Sequence, residues 1–142
     1  MWWNFVLVAI GGALGTMARY GLNVVLKNWE LVQTMAVHTD DKPTAVALPW
    51  GTLGANVLGC FLIGLFTEWA GTRLGMNAET RLFLTTGFCG GFTTLSTMML
   101  EITDFLRDRE WGFAALYVVL SLVLPFAALW LGIGLVKALV RD

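Results

Sequence analysis

A run of glycine and hydroxyl residues fills positions 85–101, which read TTGFCGGFTTLSTMMLE. Gly90 and Gly91, followed by Thr93 and Thr94, make a poor helix centre, because each glycine costs about 0.8–1 kcal/mol relative to alanine. A break here would free backbone carbonyls and amides, which survive inside a bilayer only when buried in protein or facing an ion- or water-filled cavity. Free carbonyls can bind a cation, and the positive end of the following half-helix can face an anion. We predict such a break; an intact helix whose glycines pack against a partner is the alternative.

Four further polar side chains lie within apolar stretches, where each needs a physical reason: Arg19, Asn56, Tyr117 and Ser121. The amide of Asn56 could clamp a neighbouring helix or donate a hydrogen bond to a passing anion. Arg19 could snorkel to the membrane surface or hold a positive potential at the mouth of an anion path. Tyr117 and Ser121, four residues apart on one helical face, could form a polar track or bond back to main-chain carbonyls. Because the sequence contains no nucleophile–base pair, metal cluster or phosphate loop, we predict that the chain is not an enzyme.

The amino-acid composition is typical of a membrane protein. Of the 142 residues, 57% are hydrophobic and 13% charged, and the mean hydropathy is +0.71, whereas soluble domains carry about 25% charged residues. Four stretches reach the length of about 20 apolar residues that spans a bilayer: 3–26, 48–70, 81–102 and 112–136. We therefore predict an all-α polytopic membrane protein, with residues 1–142 forming one four-helix transmembrane domain whose third helix is broken. The net charge of −1 gives no basic patch, which argues against nucleic acid as a partner.

The distribution of Lys and Arg gives no preferred orientation. With four spans, one face of the membrane carries Arg73, Arg81, Lys137 and Arg141, and the other carries Lys27, Lys42, Arg107 and Arg109. Orientation normally follows an excess of positive residues on the cytoplasmic side, and here the two faces are equal. The equality predicts insertion in both directions and an antiparallel dimer, a single-chain analogue of inverted repeats. The alternative is that another anchor decides the orientation.

Three sequence patterns, GGALGTMARY, GTLGANVLG and GFCGGFTTLST, occur in this order on the first three spans. Together they resemble the bacterial fluoride channel family (Fluc, CrcB-like), and the resemblance covers roughly residues 5–136. It implies an antiparallel dual-topology homodimer in the cell inner membrane, with two fluoride pores that protect the cell by passive fluoride efflux. Membrane lipid and the fluoride ion are the other partners that it implies.

The resemblance also implies roles for individual residues. The backbone carbonyls of Gly90 and Thr93, two from each subunit, match those that hold a structural Na⁺ at the dimer centre. Asn56 matches the pore asparagine that donates a hydrogen bond to fluoride. The remaining matches are the fluoride pathway residues Thr94, Leu95, Ser96, Met98, Tyr117 and Ser121 and the vestibule residues Arg19 and Glu101.

Two residues depart from the family pattern. The family has TTFSTF, whereas this chain has TTLSTM, so that Leu95 and Met98 replace two phenylalanines whose ring edges face fluoride. An aromatic edge carries positive quadrupole and can attract a small anion, and neither leucine nor methionine offers such an edge. The departure implies slower or altered conduction, a different anion path, or a subunit that pairs with an unlike chain. The long first loop, residues 27–47, also departs from the family.

The sequence therefore predicts a fluoride-selective channel that gives fluoride resistance. A non-conducting or heterodimeric partner subunit of such a channel is the first alternative. A small dual-topology, proton-coupled drug exporter is the second, but it needs a carboxylate deep in a span, and Glu68 and Glu101 lie near span ends.

Overall fold

The computed structural model describes residues 2–35, 48–72 and 75–140, and all regular structure within them is helical. The long helices are α1 (Trp2–Met35), α2 (Trp50–Ala70) and α6 (Trp111–Leu139). Between α2 and α6 lie α3 (Ala78–Leu82), a π-helical segment (Phe83–Cys89), α4 (Gly90–Phe92) and α5 (Leu95–Arg107). The all-α prediction is thus confirmed for the part of the chain described.

Three helices among the described residues are long and apolar enough to cross a membrane: Trp2–Lys27, Trp50–Ala70 and Trp111–Leu139. They coincide with the first, second and fourth predicted spans, as expected of a multi-pass membrane protein. The predicted loop 27–47 needs correction, since α1 continues as helix to Met35. Its sequence after Lys27 contains no glycine or proline up to that point, and these are the residues that most disfavour a helix interior.

The third predicted span, 81–102, is divided into several helical pieces. Helix α4 ends at Phe92, and the backbone is extended at Thr93 (φ −89°, ψ 156°) and at Thr94 (φ −152°, ψ 123°) before α5 begins at Leu95. A π-helical segment precedes this interruption, and π-helical turns are frequent at functional sites. No single helix therefore reaches spanning length between residues 81 and 102.

Glycines at the helix contacts allow neighbouring backbones to approach closely. A Cβ atom at Gly15 would overlap the carbonyl group of Phe88, and one at Gly11 would lie 2.7 Å from the carbonyl oxygen of Phe83. Helices α2 and α6 meet in the same way, because a Cβ at Gly64 would overlap the Leu129 carbonyl. Small residues allow such backbone approach between membrane helices. The neighbour that Gly11 and Gly15 approach in this way is the π-helical segment of the same chain.

The turn between α5 and α6 contains the one described non-glycine residue with positive φ, Arg109 at 62°. The Arg109 amide donates to the Leu106 carbonyl (3.2 Å), and the Glu110 amide donates to the Phe105 carbonyl (2.8 Å). This pair of hydrogen bonds is the Schellman motif, which favours glycine at the left-handed position.

Arg109→Gly is expected to raise the free energy of unfolding by about 1 kcal/mol, because a side chain in the left-handed region costs about that much. Reversible unfolding in mixed detergent micelles measures the change. The matched control is Asp108→Gly, since Asp108 has φ −79° and glycine there gains only unfolded-state freedom. Equal effects of the two substitutions would contradict the prediction.

Candidate functional site

The interruption at Thr93–Thr94 is bound by a side chain from α2. Asn56 Oδ1 accepts the Thr94 amide hydrogen (2.8 Å), and Asn56 Nδ2 donates to the Thr94 carbonyl (3.0 Å). Asn56 is buried, and Gly59, one turn further along α2, lies directly against Thr93, where a Cβ would overlap the threonine methyl group. Of the two uses foreseen for the Asn56 amide, the clamp on a neighbouring segment is therefore present. One hydrogen of Nδ2 is not needed for it.

Two carbonyls at the interruption lose the donors that a continuous helix would supply. An unbroken helix would pair the Gly90 carbonyl with the Thr94 amide and the Thr93 carbonyl with the Thr97 amide. Instead, the Thr94 amide donates to Asn56, and the Thr97 amide donates to Thr94 Oγ1 (3.3 Å). Gly90 and Thr93 are the residues whose carbonyls the family resemblance assigns to a structural Na⁺. Within the described residues no group of three or more His, Cys, Asp and Glu could hold a metal ion.

Hydroxyl groups cluster at the start of α5. Thr94 is its N-cap, and Thr94 Oγ1 lies 3.2 Å from Ser96 Oγ and 3.1 Å from Thr97 Oγ1. The Thr93 hydroxyl points the other way and donates to the Cys89 carbonyl (3.0 Å). The N-terminus of a helix carries positive partial charge, so this cluster offers rotatable hydroxyl donors at an electropositive helix end.

A second polar group surrounds the carboxylate of Glu101 on α5. The Thr52 hydroxyl donates to Glu101 Oε1 and the Tyr117 hydroxyl to Glu101 Oε2, both at 2.6 Å. Met98 and Tyr117, 4% and 0% exposed, form with Leu53 the apolar core beneath this group. Three helices thus converge on one carboxylate. Sequence reasoning missed Thr52, although its position four residues before Asn56, on the same face of α2, was a usable signal.

Ser121 lies on the packed face of α6, one turn after Tyr117. Its Oγ is buried and forms no hydrogen bond with any residue that the structure describes. The Ser121 side chain also interacts electrostatically with the Tyr117 hydroxyl, one turn before it.

The predicted site residues therefore fall into groups. Asn56, Thr94 and Ser96 surround the interruption. Tyr117 binds the Glu101 carboxylate, and Met98 lies with Tyr117 in the apolar core. Leu95 is 66% exposed and Gly90 is also exposed, so both face away from the packed interior of the chain. Arg19 is half-buried on α1, and no hydrogen bond or ion pair joins it to the rest of the site in the described part of the chain.

Comparison with known proteins finds strong similarity over almost the whole chain. Residues 6–133 match the sequence-family model described as "CrcB-like protein, Camphor Resistance (CrcB)". A protein from Chlorobium chlorochromatii (strain CaD3) is 44% identical over 130 residues, covering 92% of this chain and 89% of the relative. One from Agrobacterium fabrum (strain C58 / ATCC 33970) is 39% identical over 132 residues, covering 93% and 94%. Both relatives are named "Fluoride-specific ion channel FluC".

Proposed function

This chain belongs to the CrcB-like protein family, and from that premise we propose that it is a fluoride-specific ion channel. It lets fluoride leave the cytoplasm passively and so gives fluoride resistance. The observation that carries this conclusion is the identity of 44% with a relative of that name over nearly the full length of both chains. The prediction that the chain is not an enzyme agrees, because the family is one of ion channels. A passive pore suffices, since a negative interior drives anions outward by about 2.3 kcal/mol per charge per 100 mV.

The anion path needs donors that can replace the water bound to fluoride, a small and strongly hydrated ion. The candidate donors are the buried Ser121 hydroxyl and the second Nδ2 hydrogen of Asn56, whose first is donated to the Thr94 carbonyl. The Thr94 and Ser96 hydroxyls can rotate toward an anion at the electropositive start of α5. The Tyr117 hydroxyl gives its one hydrogen to Glu101, so its part is to hold the carboxylate. Arg19 adds positive potential at the mouth of the path.

We propose Na⁺ as a structural ion at the interruption. The carbonyls of Gly90 and Thr93 have lost their helical donors to Asn56 and Thr94, and a hard cation takes neutral carbonyl oxygens as ligands. The exposure of Gly90 leaves that side of the interruption open to a second subunit, which would contribute the same two carbonyls. When bound, the ion supplies positive charge that offsets main-chain dipoles inside the bilayer.

The assembly that we propose is an antiparallel dual-topology homodimer in the cell inner membrane, surrounded by lipid. The equal numbers of Lys and Arg on the two faces favour insertion in both directions. The exposed apolar side of α1, with Ile10, Leu14 and Met17, supplies a surface that a second subunit or lipid would cover.

Fluoride efflux from liposomes that contain only this protein tests the proposal. Valinomycin and a K⁺ gradient supply the balancing current, and a fluoride electrode records the release. Fast release that requires valinomycin, with no release of chloride, is the expected result. Proton-coupled cation transport would favour the exporter, and a stable dimer without fluoride flux would favour the partner-subunit alternative, which Leu95 and Met98 suggest.

Replacing Leu95 and Met98 separately with phenylalanine distinguishes the two departures from the family pattern. Leu95→Phe is expected to preserve or raise flux at no more than about 0.5 kcal/mol in stability, because the residue is 66% exposed and surface changes are usually that small. Met98→Phe enlarges a side chain that is 4% exposed, and overpacking costs about 1–3 kcal/mol. The same efflux assay with unfolding measurements checks both. A loss of flux in Leu95→Phe would show that this chain uses another pore geometry.

A further inference from the structure

The ends of α2 and α6 form a groove that the proposed channel function does not use. At its polar end, Lys137 Nζ lies 4.0 Å from Glu68 Oε1, and both side chains reach solvent. An adjoining hollow is lined almost wholly by apolar residues, including Leu65, Trp69 and Leu135. Val136 and Val140 line both hollows.

The charges at the polar end are held apart and loosely paired. A separation of 4.0 Å is at the limit for an ion pair, and exposed pairs of this kind contribute only about 0–1 kcal/mol. A ligand with one positive and one negative group could therefore replace the pair and satisfy both side chains. The position, next to Trp69 at the end of a spanning helix, corresponds to the interface where tryptophan is enriched and where long cationic side chains reach the head groups.

We infer that this groove binds one phospholipid with a primary amine in its head group, of the phosphatidylethanolamine class. Its ammonium lies against the carboxylate of Glu68, its phosphate against Lys137, and an acyl chain in the apolar hollow beside Leu65 and Trp69. The two-carbon link between ammonium and phosphate matches two opposite charges on neighbouring helices. An anionic lipid without an amine would pair with Lys137 but not with Glu68. A lipid with a quaternary amine could not donate a hydrogen bond to Glu68. This inference rests on membrane insertion and is independent of fluoride conduction.

Native mass spectrometry of the purified full-length protein, titrated with phosphatidylethanolamine, phosphatidylcholine and phosphatidylglycerol of identical acyl chains, tests the assignment. Phosphatidylethanolamine is expected to bind about tenfold more tightly than the other two, which corresponds to about 1.4 kcal/mol. Glu68→Gln should remove that preference, and Lys137→Gln should weaken the binding of all three phospholipids. The control is Asp104→Asn, which alters another exposed ion pair, Asp104–Arg107 at 3.5 Å, and should leave the preference unchanged.

Equal binding of the three lipids, or an undiminished preference in Glu68→Gln, would overturn the inference. Fluoride efflux of the same variants in liposomes is measured in parallel and should match the unsubstituted protein. If the unsubstituted protein fails to conduct fluoride but retains its lipid preference, the channel function is wrong and the lipid site stands.

Discussion

Asn56→Asp is expected to abolish fluoride flux at neutral pH. Aspartate retains the acceptor for the Thr94 amide but replaces the Nδ2 donor, which lies 3.0 Å from the Thr94 carbonyl, with a second oxygen. A full negative charge about 4 Å from a passing anion adds about 4 kcal/mol at an effective dielectric constant of about 20. That increment slows passage about a thousandfold. Liposome efflux recorded with a fluoride electrode, with valinomycin present, measures the loss.

The chain offers a matched control in Asn77→Asp. Asn77 is the N-cap of α3, and its Oδ1 accepts the Thr80 amide at 2.7 Å. Aspartate caps a helix as well as asparagine does, so the same chemical change should leave flux near that of the unsubstituted protein. Normal flux in folded Asn56→Asp would remove Asn56 from the anion path and leave it only as a clamp on the interruption.

The sequence predicted the structure best where a local pattern of residues and the thickness of the bilayer both limit the helix. Apolar length identified α2 and α6 within a few residues, because a bilayer imposes a minimum span. The end of α1 was predicted too early, since charged residues after Leu26 resemble a loop while still permitting a helix. The glycines and threonines near position 90 indicated where regular helix becomes unfavourable, and the extended residues are Thr93 and Thr94.

The site was less predictable, because its contacts join residues far apart in the chain. Residue type marked Asn56 and Tyr117 as unusual in a span, and the family resemblance pointed to Glu101, but their hydrogen-bond partners depend on how α2, α5 and α6 pack. Thr52, which donates to Glu101, was missed because a single threonine in a membrane helix commonly bonds to its own backbone. Periodicity places a residue on a helix face, and only the packing decides what it touches.

Tyr117→Phe is expected to lower fluoride flux about 10- to 100-fold and the free energy of unfolding by about 1–3 kcal/mol. The substitution keeps the ring, its complete burial and its edge-on packing against Phe105, whose ring centroid is 5.9 Å away, and removes the hydroxyl that donates to Glu101 Oε2. A buried group that loses a hydrogen-bond partner incurs about 1–3 kcal/mol of desolvation, and a carboxylate held by one hydroxyl fewer alters the potential along the proposed anion path. Efflux and unfolding measured on the same preparation give both quantities.

A control substitution and a double substitution test whether Tyr117 acts through the Glu101 carboxylate. Tyr20→Phe changes the other tyrosine of the chain, which is 73% exposed on α1, and should alter neither flux nor stability. Glu101→Gln should reduce the effect of Tyr117→Phe on flux, because residues joined by a hydrogen bond have non-additive effects. Thr52→Val, which removes the donor to Glu101 Oε1, should show the same dependence. Strictly additive effects of Tyr117→Phe and Glu101→Gln would mean that the tyrosine acts on the anion directly, and not by holding the Glu101 carboxylate.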